Sequence, residues 1–335
     1  MLGPIWVEDP RGSFEAVRLC ADLPLENRDF ARQTGGWVLK LPALQLNRLE
    51  YRLEIVSGDG TTEVVLDPDN ELRVPGAFGQ KSVVEAGGYA PPGWLVSPAV
   101  DGTRHEITVR VLGEDLSVTV WSPTEGPLPV LVVHDGPEYD GLSGLTRWAG
   151  AMIALDHLPP FRVALLPPGE RDEWYSASAH YSRALCRRIL PMLSREFATT
   201  GAPVGMGASL GGLAMLHAQR RWPRHFSALF LQSGSFFLPR FDAHEHRFPR
   251  YARIVRFVRG VMRTEGPHPD PVPVAMTCGS EEENLRNNRL MASVLAAQGY
   301  PTGLHELADL HNYTGWRDAF DPHLTKLLTG VWRDR

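Results

Sequence analysis

The feature that most constrains this chain is a glycine-serine-glycine pattern near the middle of the sequence. An apolar run leads into Gly207-x-Ser209-x-Gly211, and residues 213–219 are rich in helix formers. This is the pattern of a nucleophile elbow, in which glycines let a strand and a helix approach closely around a serine with a strained backbone. The free N–H groups and the positive dipole end of that helix would favour a developing oxyanion. The pattern therefore predicts a nucleophilic serine at a strand-to-helix turn.

Two other interpretations of this segment are a helix-capping turn and a dinucleotide-binding loop. A glycine-rich turn whose serine merely caps a helix is compatible with the five residues alone. A dinucleotide-binding loop is not, because Gly205-x-Gly207 is followed by Leu210 where a third glycine is required, and no P-loop is present. An acidic residue and a histidine in the required order downstream favour the catalytic interpretation.

Composition limits the classes of partner. At 335 residues the chain is long enough for one large domain and one small domain. Its residues are 43% hydrophobic and 22% charged, which is ordinary for a globular protein. The net charge of −5 gives no reason to expect nucleic acid or an anionic membrane as a partner. We therefore expect a small-molecule ligand, and the sequence predicts no particular oligomeric state.

The location can also be predicted from the sequence. No run of eighteen apolar residues is present, and the first residues lack a basic segment followed by an apolar one, so we expect neither a membrane span nor a signal peptide. The three cysteines, Cys20, Cys186 and Cys278, are odd in number and far apart, which is typical of reduced thiols. These observations predict a cytoplasmic protein.

Residues 1–95 have the pattern of a small β-domain. Residues 49–56 alternate strictly between apolar and polar side chains, residues 57–60 form a hairpin-turn signal, and residues 62–66 are again β-type. Short strands spaced in this way predict a β-sandwich. The two prolines and the glycine of residues 90–93 mark its end.

Residues 96–335 have a different pattern, in which strands and helices alternate. Continuous apolar runs, typical of strands buried in a parallel sheet, occur at 130–134, 162–166, 228–231 and 272–276. Helical stretches are predicted at about 142–157, 176–198, 209–221, 284–298 and 321–333. This alternation predicts an α/β domain with a doubly wound, mostly parallel sheet, whose site lies beyond the carboxyl ends of the strands.

A candidate acid and base follow the elbow. Glu281, Glu282 and Glu283 come after the run 272–276, and His311 lies before the last predicted helix. A carboxylate at this point would orient the histidine and stabilise its imidazolium form. Successive residues cannot all face one histidine, so at least two of the glutamates belong to a solvated helix start.

The candidate oxyanion hole has one clear donor, the N–H of Leu210 directly after the nucleophile. The second is expected in residues 134–139 after the first apolar strand, where Gly136 permits close approach and Pro137 has no N–H. Gly136, Glu138 or a neighbour would supply it, and a plain tight turn is the alternative for this segment.

Four residues are candidates for substrate binding. Arg171, Trp174 and Tyr175 follow the run 162–166, and planar cationic and aromatic groups bind aromatic or anionic ligands. The same three residues would equally serve as a packed loop anchor. Trp316, which follows His311, completes the set.

Residues 130–332 resemble the putative-esterase group of α/β-hydrolases, and within it the enterochelin (ferric enterobactin) esterases. The residues that carry the resemblance are His134-Asp135-Gly136, Gly207-x-Ser209-x-Gly211-Gly212-Leu213, Trp222-Pro223-x-x-Phe226, Gln232-Ser233-Gly234-Ser235, Glu281 with Asn288, and His311 with Trp316-Arg317. The order serine, acid, histidine is that of the α/β-hydrolases. The separation of 30 residues (311 − 281) between Glu281 and His311 is similar to that of these esterases, so the resemblance favours Glu281 as the acid.

The resemblance also implies the fold of the first domain and the reaction. Members of this family carry an N-terminal immunoglobulin-like β-domain, and Asp67-Pro68-x-Asn70 resembles the end of that domain. The implied function is a serine esterase that forms an acyl-enzyme on Ser209, requires no metal or cofactor, and hydrolyses ester bonds of siderophores. Two alternatives remain: an acyltransferase on the same scaffold, similar to the mycolyltransferases, and a non-catalytic binding protein with this fold.

Overall fold

The computed structural model describes residues 2–332 and divides the chain into two compact units. The first unit comprises the chain up to Pro91 together with Gly279–Glu283 and Glu306–Gly315, and the second comprises Pro92–Cys278, Asn284–His305 and the chain from Trp316 onward. Met1 and residues 333–335, which the predicted domains and last helix include, lie outside the described residues. The assignment of 1–95 and 96–335 to two domains stays a prediction.

The first unit contains two antiparallel sheets. Its strands are β1 (Ile5–Glu8), β2 (Phe14–Cys20), β3 (Ala31–Gln33), β4 (Gly36–Leu39), β5 (Arg48–Ser57), β6 (Thr62–Val65), β7 (Arg73–Val74) and β8 (Lys81–Glu85). One sheet has the order β1-β4-β3, and the other has the order β2-β5-β8-β7 with β6 paired to β5. The predicted hairpin between β5 and β6 is confirmed, since the N–H of Gly60 donates to the carbonyl of Ser57 over 2.8 Å.

Both sheets bury apolar side chains in one core. Val7 and Trp37 come from the three-stranded sheet, and Leu19 and Leu53 come from the other. The alternation in residues 49–56 places Leu49, Tyr51, Leu53 and Ile55 in this core. The two packed sheets agree with the predicted β-sandwich.

A buried polar network explains the Asp67-Pro68-x-Asn70 motif. The Asp67 carboxylate accepts a 2.5 Å hydrogen bond from the Tyr51 hydroxyl, and the Asp67 N–H donates to the Ser82 hydroxyl. The Asn70 amide donates to Tyr51 and to the Val83 carbonyl. The motif therefore joins the chain after β6 to β5 and β8.

The second unit is built on an eight-stranded sheet. Its strands are β9 (Thr103–Val111), β10 (Glu114–Ser122), β11 (Val130–His134), β12 (Arg162–Leu166), β13 (Val204–Ala208), β14 (Ala228–Gln232), β15 (Val274–Gly279) and β16 (Thr302–Leu307), and their order is β16-β15-β14-β13-β11-β12-β10-β9. The pairs from β12 through β11, β13 and β14 to β15 are parallel, whereas β9, β10 and β12 pair antiparallel. Every residue of β11, β12, β13 and β14 is buried, as continuous apolar runs predict. The predicted mostly parallel sheet is confirmed.

Ten α-helices are described. They are α1 (Gly136–Ser143), α2 (Leu145–Ala154), α3 (Arg171–Trp174), α4 (Ala179–Ala184), α5 (Leu190–Glu196), α6 (Leu210–Arg221), α7 (Tyr251–Arg263), α8 (Leu285–Ala297), α9 (Tyr313–Asp318) and α10 (Thr325–Trp332). One predicted helix is interrupted, because Gly144, at φ +62°, ends α1 directly before α2. The predicted helix 176–198 is continuous from Ala179 to Glu196, with a π-helical turn, Leu185–Ile189, between α4 and α5. In the described part of the chain no helix is long and apolar enough to cross a membrane.

Candidate active site

Ser209 lies on a strained turn between β13 and α6. Its backbone adopts φ +54° and ψ −124°, a conformation that is unfavourable for a residue with a side chain. A Cβ atom on Gly207 would lie 2.5 Å from the carbonyl carbon of Gly211, so only glycine fits where the strand meets the helix. The predicted elbow geometry is confirmed, and it places Ser209 at the N-terminus of α6.

The chain after β14 holds the elbow in place. The Ser209 N–H donates to the Gln232 carbonyl over 2.9 Å, and the Ser235 N–H donates to the Ser209 carbonyl over 3.1 Å. The hydroxyl of Ser235, which is buried, lies 3.0 Å from the Ser209 hydroxyl. The sequence analysis names Ser235 only as part of the Gln232–Ser235 motif and assigns it no role. The signal that could have found it is its place at the carboxyl end of β14, the parallel neighbour of β13.

The loop that carries Ser235 is itself fixed by two side chains. Asn288 accepts from the Gly234 N–H and donates to the Gly234 carbonyl, both over 3.0 Å. The Trp316 indole N–H donates to the hydroxyl of Ser233, a residue with φ +48°. Trp316 is only 6% exposed. Its predicted role in substrate binding is therefore corrected: the structure gives this indole a supporting role, because little of its surface can reach a ligand.

His134, at the end of β11, ties the neighbouring loop to the elbow. Its Nδ1 lies 2.9 Å from the Gly211 carbonyl, and its Nε2 lies 2.9 Å from the Tyr181 hydroxyl. Complete burial lowers the pKa of His134 to about 4, so the ring is neutral at pH 7. Because a carbonyl only accepts, Nδ1 carries the proton, and Nε2 accepts from Tyr181. Every polar atom of this buried imidazole thus has a partner.

Asp135 follows in a left-handed conformation, with φ +51° and ψ +38°. Its buried carboxylate accepts two hydrogen bonds from the Arg171 guanidinium, over 2.9 and 3.0 Å. Its N–H points to the Tyr175 hydroxyl over 3.3 Å. A Cβ atom on Gly136 would lie 2.4 Å from the Cα atom of Leu165, so glycine is required there, whereas its part in an oxyanion hole stays a prediction.

The three candidate substrate-binding residues after β12 belong to this support. Tyr175 is fully buried and stacks on His134, with ring centroids 4.3 Å apart, and the nearly buried Trp174 stacks on Tyr181. Arg171 lies over the Tyr175 ring and pairs with Asp135. Substrate binding by Trp174 and Tyr175 is corrected to the alternative, a packed loop anchor, because their rings are covered by protein. The Arg171 side chain is 35% exposed, so its role in substrate binding stays a prediction.

The candidate acid and the candidate histidine lie in the first compact unit. The Nδ1 atom of His311 is 2.9 Å from an oxygen of Glu282, whose side chain is 2% exposed. The other Glu282 oxygen accepts from the Gly279 N–H over 2.8 Å. The preference for Glu281 is therefore corrected to Glu282. The turn after β15 folds the second glutamate back towards Gly279. A similar number of residues between acid and histidine does not distinguish one glutamate from its neighbour in the sequence. A carboxylate on Nδ1 leaves Nε2 as the basic atom of the imidazole.

The comparison with known families decides which group this chain belongs to. Residues 109–327 match the family model described as "Putative esterase". The chain belongs to the putative esterase family. The matched segment includes Ser209, Glu282 and His311, and residues 1–108 lie outside it.

Individual relatives agree with the resemblance to enterobactin esterases. The chain is 27% identical over 219 residues to an iron(III) enterobactin esterase of Dickeya dadantii, covering 60% of this chain and 48% of the relative. It is 26% identical over 201 residues to one of Escherichia coli, covering 55% and 49%. The chain thus spans about half the length of the curated relatives it matches.

Solved structures show the same fold over nearly the whole chain. The crystal structure of the Shigella flexneri enterobactin esterase in the presence of enterobactin matches with a TM-score of 0.75 at 19% identity, covering 99% of this chain and 92% of that one. The ferric enterobactin esterase of Salmonella typhimurium also gives 0.75, at 18% identity, covering 99% and 97%. A ferulic acid esterase matches 70% of this chain and 98% of its own, with a TM-score of 0.57 at 17% identity. These likenesses confirm the α/β-hydrolase fold.

The neutral state of His134 predicts a pH dependence of stability. In the unfolded chain a histidine titrates at about 6.5, whereas in the folded protein His134 titrates at about 4. Between these values the unfolded state binds more protons, so the free energy of unfolding is highest above pH 6.5 and falls as the pH drops towards 4. The slope from this residue reaches about 1.4 kcal/mol per pH unit.

Urea denaturation of wild type and His134→Gln between pH 4 and 8 checks this prediction. We expect the variant to be less stable at pH 8, because its contacts are altered, but to lose less stability per pH unit below pH 6.5. His217, whose pKa burial also lowers to about 4, is retained and keeps its own contribution in both proteins. Identical slopes would contradict the neutral, buried state of His134.

Proposed function

We propose that this protein is a serine esterase that hydrolyses carboxylic ester bonds through an acyl-enzyme on Ser209. The strained conformation of Ser209 at the start of α6, in a chain of the putative esterase family, is the observation that supports this most strongly. Backbone strain of this kind persists only where the surroundings impose it, and it is concentrated at reactive sites. Gly207, where a Cβ atom would lie 2.5 Å from the Gly211 carbonyl carbon, allows the close approach of strand and helix that this turn requires.

In the proposed mechanism His311 is the general base and Glu282 orients it. His311 takes the proton from the Ser209 hydroxyl as the oxygen attacks the ester carbonyl, and it returns the proton to the leaving alcohol. A water molecule activated by the same imidazole then hydrolyses the acyl-enzyme. The order of the three residues along the chain and the contact of half-buried His311 with buried Glu282 support these roles.

The proposed oxyanion hole uses the N–H groups of Leu210 and Gly136. These are the first residues of α6 and α1, and the first N–H groups of a helix have no acceptor within the helix. The two helices follow β13 and β11, which are adjacent parallel strands. The hydrogen bond from His134 to Gly211 joins the two helix starts and would fix the spacing of the donors.

Ser235 has a proposed part in stabilising the nucleophile. Its hydroxyl lies 3.0 Å from that of Ser209, and either oxygen can donate. Once the Ser209 proton is directed to the base, Ser235 donates to the Ser209 oxygen and stabilises the negative charge that develops there.

The proposed substrate is a siderophore-type ester. The curated relatives are named iron(III) enterobactin esterases, and one matched structure was obtained in the presence of enterobactin. The ferulic acid esterase supplies the competing substrate class, an ester of an aromatic acid. Enterobactin and ethyl ferulate are therefore the two substrates to compare.

The first prediction of the mechanism concerns Ser209. We expect a fluorophosphonate to form a single adduct on Ser209 of the wild type and none on Ser209→Ala. We also expect Ser209→Ala to lower kcat for enterobactin hydrolysis by about 10⁴- to 10⁶-fold, because the covalent step is lost. Mass spectrometry and product chromatography measure the two effects.

Ser194→Ala on α5 is the matched control, and it should label and hydrolyse like the wild type. Ester hydrolysis that survives in Ser209→Ala would disprove the mechanism. Hydrolysis of ethyl ferulate without that of enterobactin would disprove the substrate and leave the serine mechanism standing.

A second prediction separates the adjacent glutamates. Glu282→Gln keeps the shape of the side chain and an oxygen for the Gly279 N–H, but its amide cannot hold the Nδ1 proton of His311. We expect kcat/KM to fall by about 10²- to 10⁴-fold. Glu281→Gln should stay within about threefold of wild type, since surface changes away from such contacts have small effects. Steady-state kinetics check both variants, and the reverse result would restore Glu281 as the acid.

A third prediction tests Ser235. We expect Ser235→Ala to lower kcat by about tenfold, which corresponds to about 1.4 kcal/mol of transition-state stabilisation. KM should be nearly unchanged, because the proposed bond strengthens only as charge develops. Initial-rate kinetics separate the two constants. A rise in KM at constant kcat would instead assign Ser235 to ground-state binding.

A further inference from the structure

The segments that carry Glu282 and His311 pack with the N-terminal β-strands. Gly279–Glu283 and Glu306–Gly315 belong to the same compact unit as the chain up to Pro91, although almost 200 residues separate them in sequence. The two segments are joined to each other by the Ser280 N–H, which donates to the Leu307 carbonyl over 2.7 Å.

Leu310, the residue directly before His311, is part of the core of the β-sandwich. It is 4% exposed and lies in one apolar cluster with Leu46, Leu49 and Leu53. A buried leucine has a single well-packed position, because a closely packed core tolerates little displacement. The backbone that leads into His311 is therefore held by the core of this unit.

The backbone on the other side of Leu310 is also held. The Asn47 N–H donates to the Ala308 carbonyl over 2.7 Å, and the Asn47 carbonyl accepts from the Ala86 N–H over 2.8 Å. Asn47 directly precedes β5, the central strand of its sheet. This places the histidine segment alongside the start of a strand that is paired on both sides.

Internal bonds make the histidine segment rigid. The buried Asp309 carboxylate accepts from the Leu310 N–H and from the Asn312 amide, both over 2.8 Å. A Cβ atom on Gly279 would lie 2.2 Å from the Asp309 carbonyl oxygen, so the turn that carries Glu282 is in close contact with this segment. The 2.9 Å contact between Glu282 and His311 thus forms between two segments that are each held in place.

We infer that the N-terminal β-sandwich is a positioning device for the Glu282–His311 pair, and that Leu310 transmits this function. The inference rests on the proposed function for the catalytic meaning of the pair. Leu310 is a positioning residue that acts through His311. A displacement of about 1 Å in a catalytic group can cost about a hundredfold in rate, so loosening this anchor is expected to affect turnover.

The test compares two leucines of the same core. Leu310→Ala and Leu53→Ala remove the same atoms from the same cluster, but only Leu310 adjoins the histidine. We expect Leu310→Ala to lower kcat for ester hydrolysis at least about tenfold, with KM nearly unchanged. Leu53→Ala should stay within about twofold at a temperature at which circular dichroism shows both proteins folded. If either alanine variant fails to fold, Leu310→Val and Leu53→Val form the milder pair.

A second readout does not depend on activity. Nitrogen-15 NMR of the histidine rings reports whether Nδ1 of His311 carries a proton hydrogen-bonded to Glu282. We expect this signal in the wild type and in Leu53→Ala, and its loss or rapid exchange in Leu310→Ala. Equal signals and equal rates in the two variants would overturn the inference. A wild type that shows the NMR signal but hydrolyses no ester would instead disprove the proposed function.

Discussion

The close approach of β13 and α6 at the elbow is the contact on which the candidate site depends. A Cβ atom on Gly207 would lie 2.5 Å from the carbonyl carbon of Gly211, so the strand and the helix leave no room for a methyl group at Gly207. Because the chain must turn from strand to helix within this space, the residue between them takes a conformation that is costly for serine. The same turn starts α6 at Leu210, so the first N–H groups of the helix directly follow the serine. The positions of the candidate nucleophile and of the proposed oxyanion donor thus follow from one steric constraint.

A buried polar layer fixes the neighbouring loop against that elbow. Neutral His134 binds Gly211, Asp135 is held by Arg171, and Tyr175 contacts both residues. Such a network stabilises a single arrangement only when its members are satisfied, since an unpaired buried group costs more than the bond it would have made. The side chains of His134 and Asp135 both have hydrogen-bond partners, so they meet this requirement. These hydrogen bonds hold the residues after β11 against the start of α6.

Much of the fold could be predicted because the signals were local. Continuous apolar runs identified β11, β12 and β14, and the glycine spacing identified the elbow. The roles of Trp174, Tyr175 and Trp316 could not be predicted, because the sequence does not show whether an aromatic side chain near a site faces a ligand or packs in the core. The choice between Glu281 and Glu282 likewise depended on a turn whose direction only the three-dimensional structure shows. The sequence analysis also did not predict the helix α7, Tyr251–Arg263.

The composition of the first compact unit shows a further limit of reasoning along the chain. Domain boundaries predicted from sequence assume that each domain is one continuous segment, and residues 90–93 supply the expected break. The structure adds two short segments from the far end of the chain to the β-sandwich. Leu310 has the properties of any buried leucine, and nothing in its neighbours indicates which core it joins. A residue can therefore lie next to a candidate catalytic histidine in sequence and depend for its position on a strand about 260 residues earlier (310 − 49 = 261).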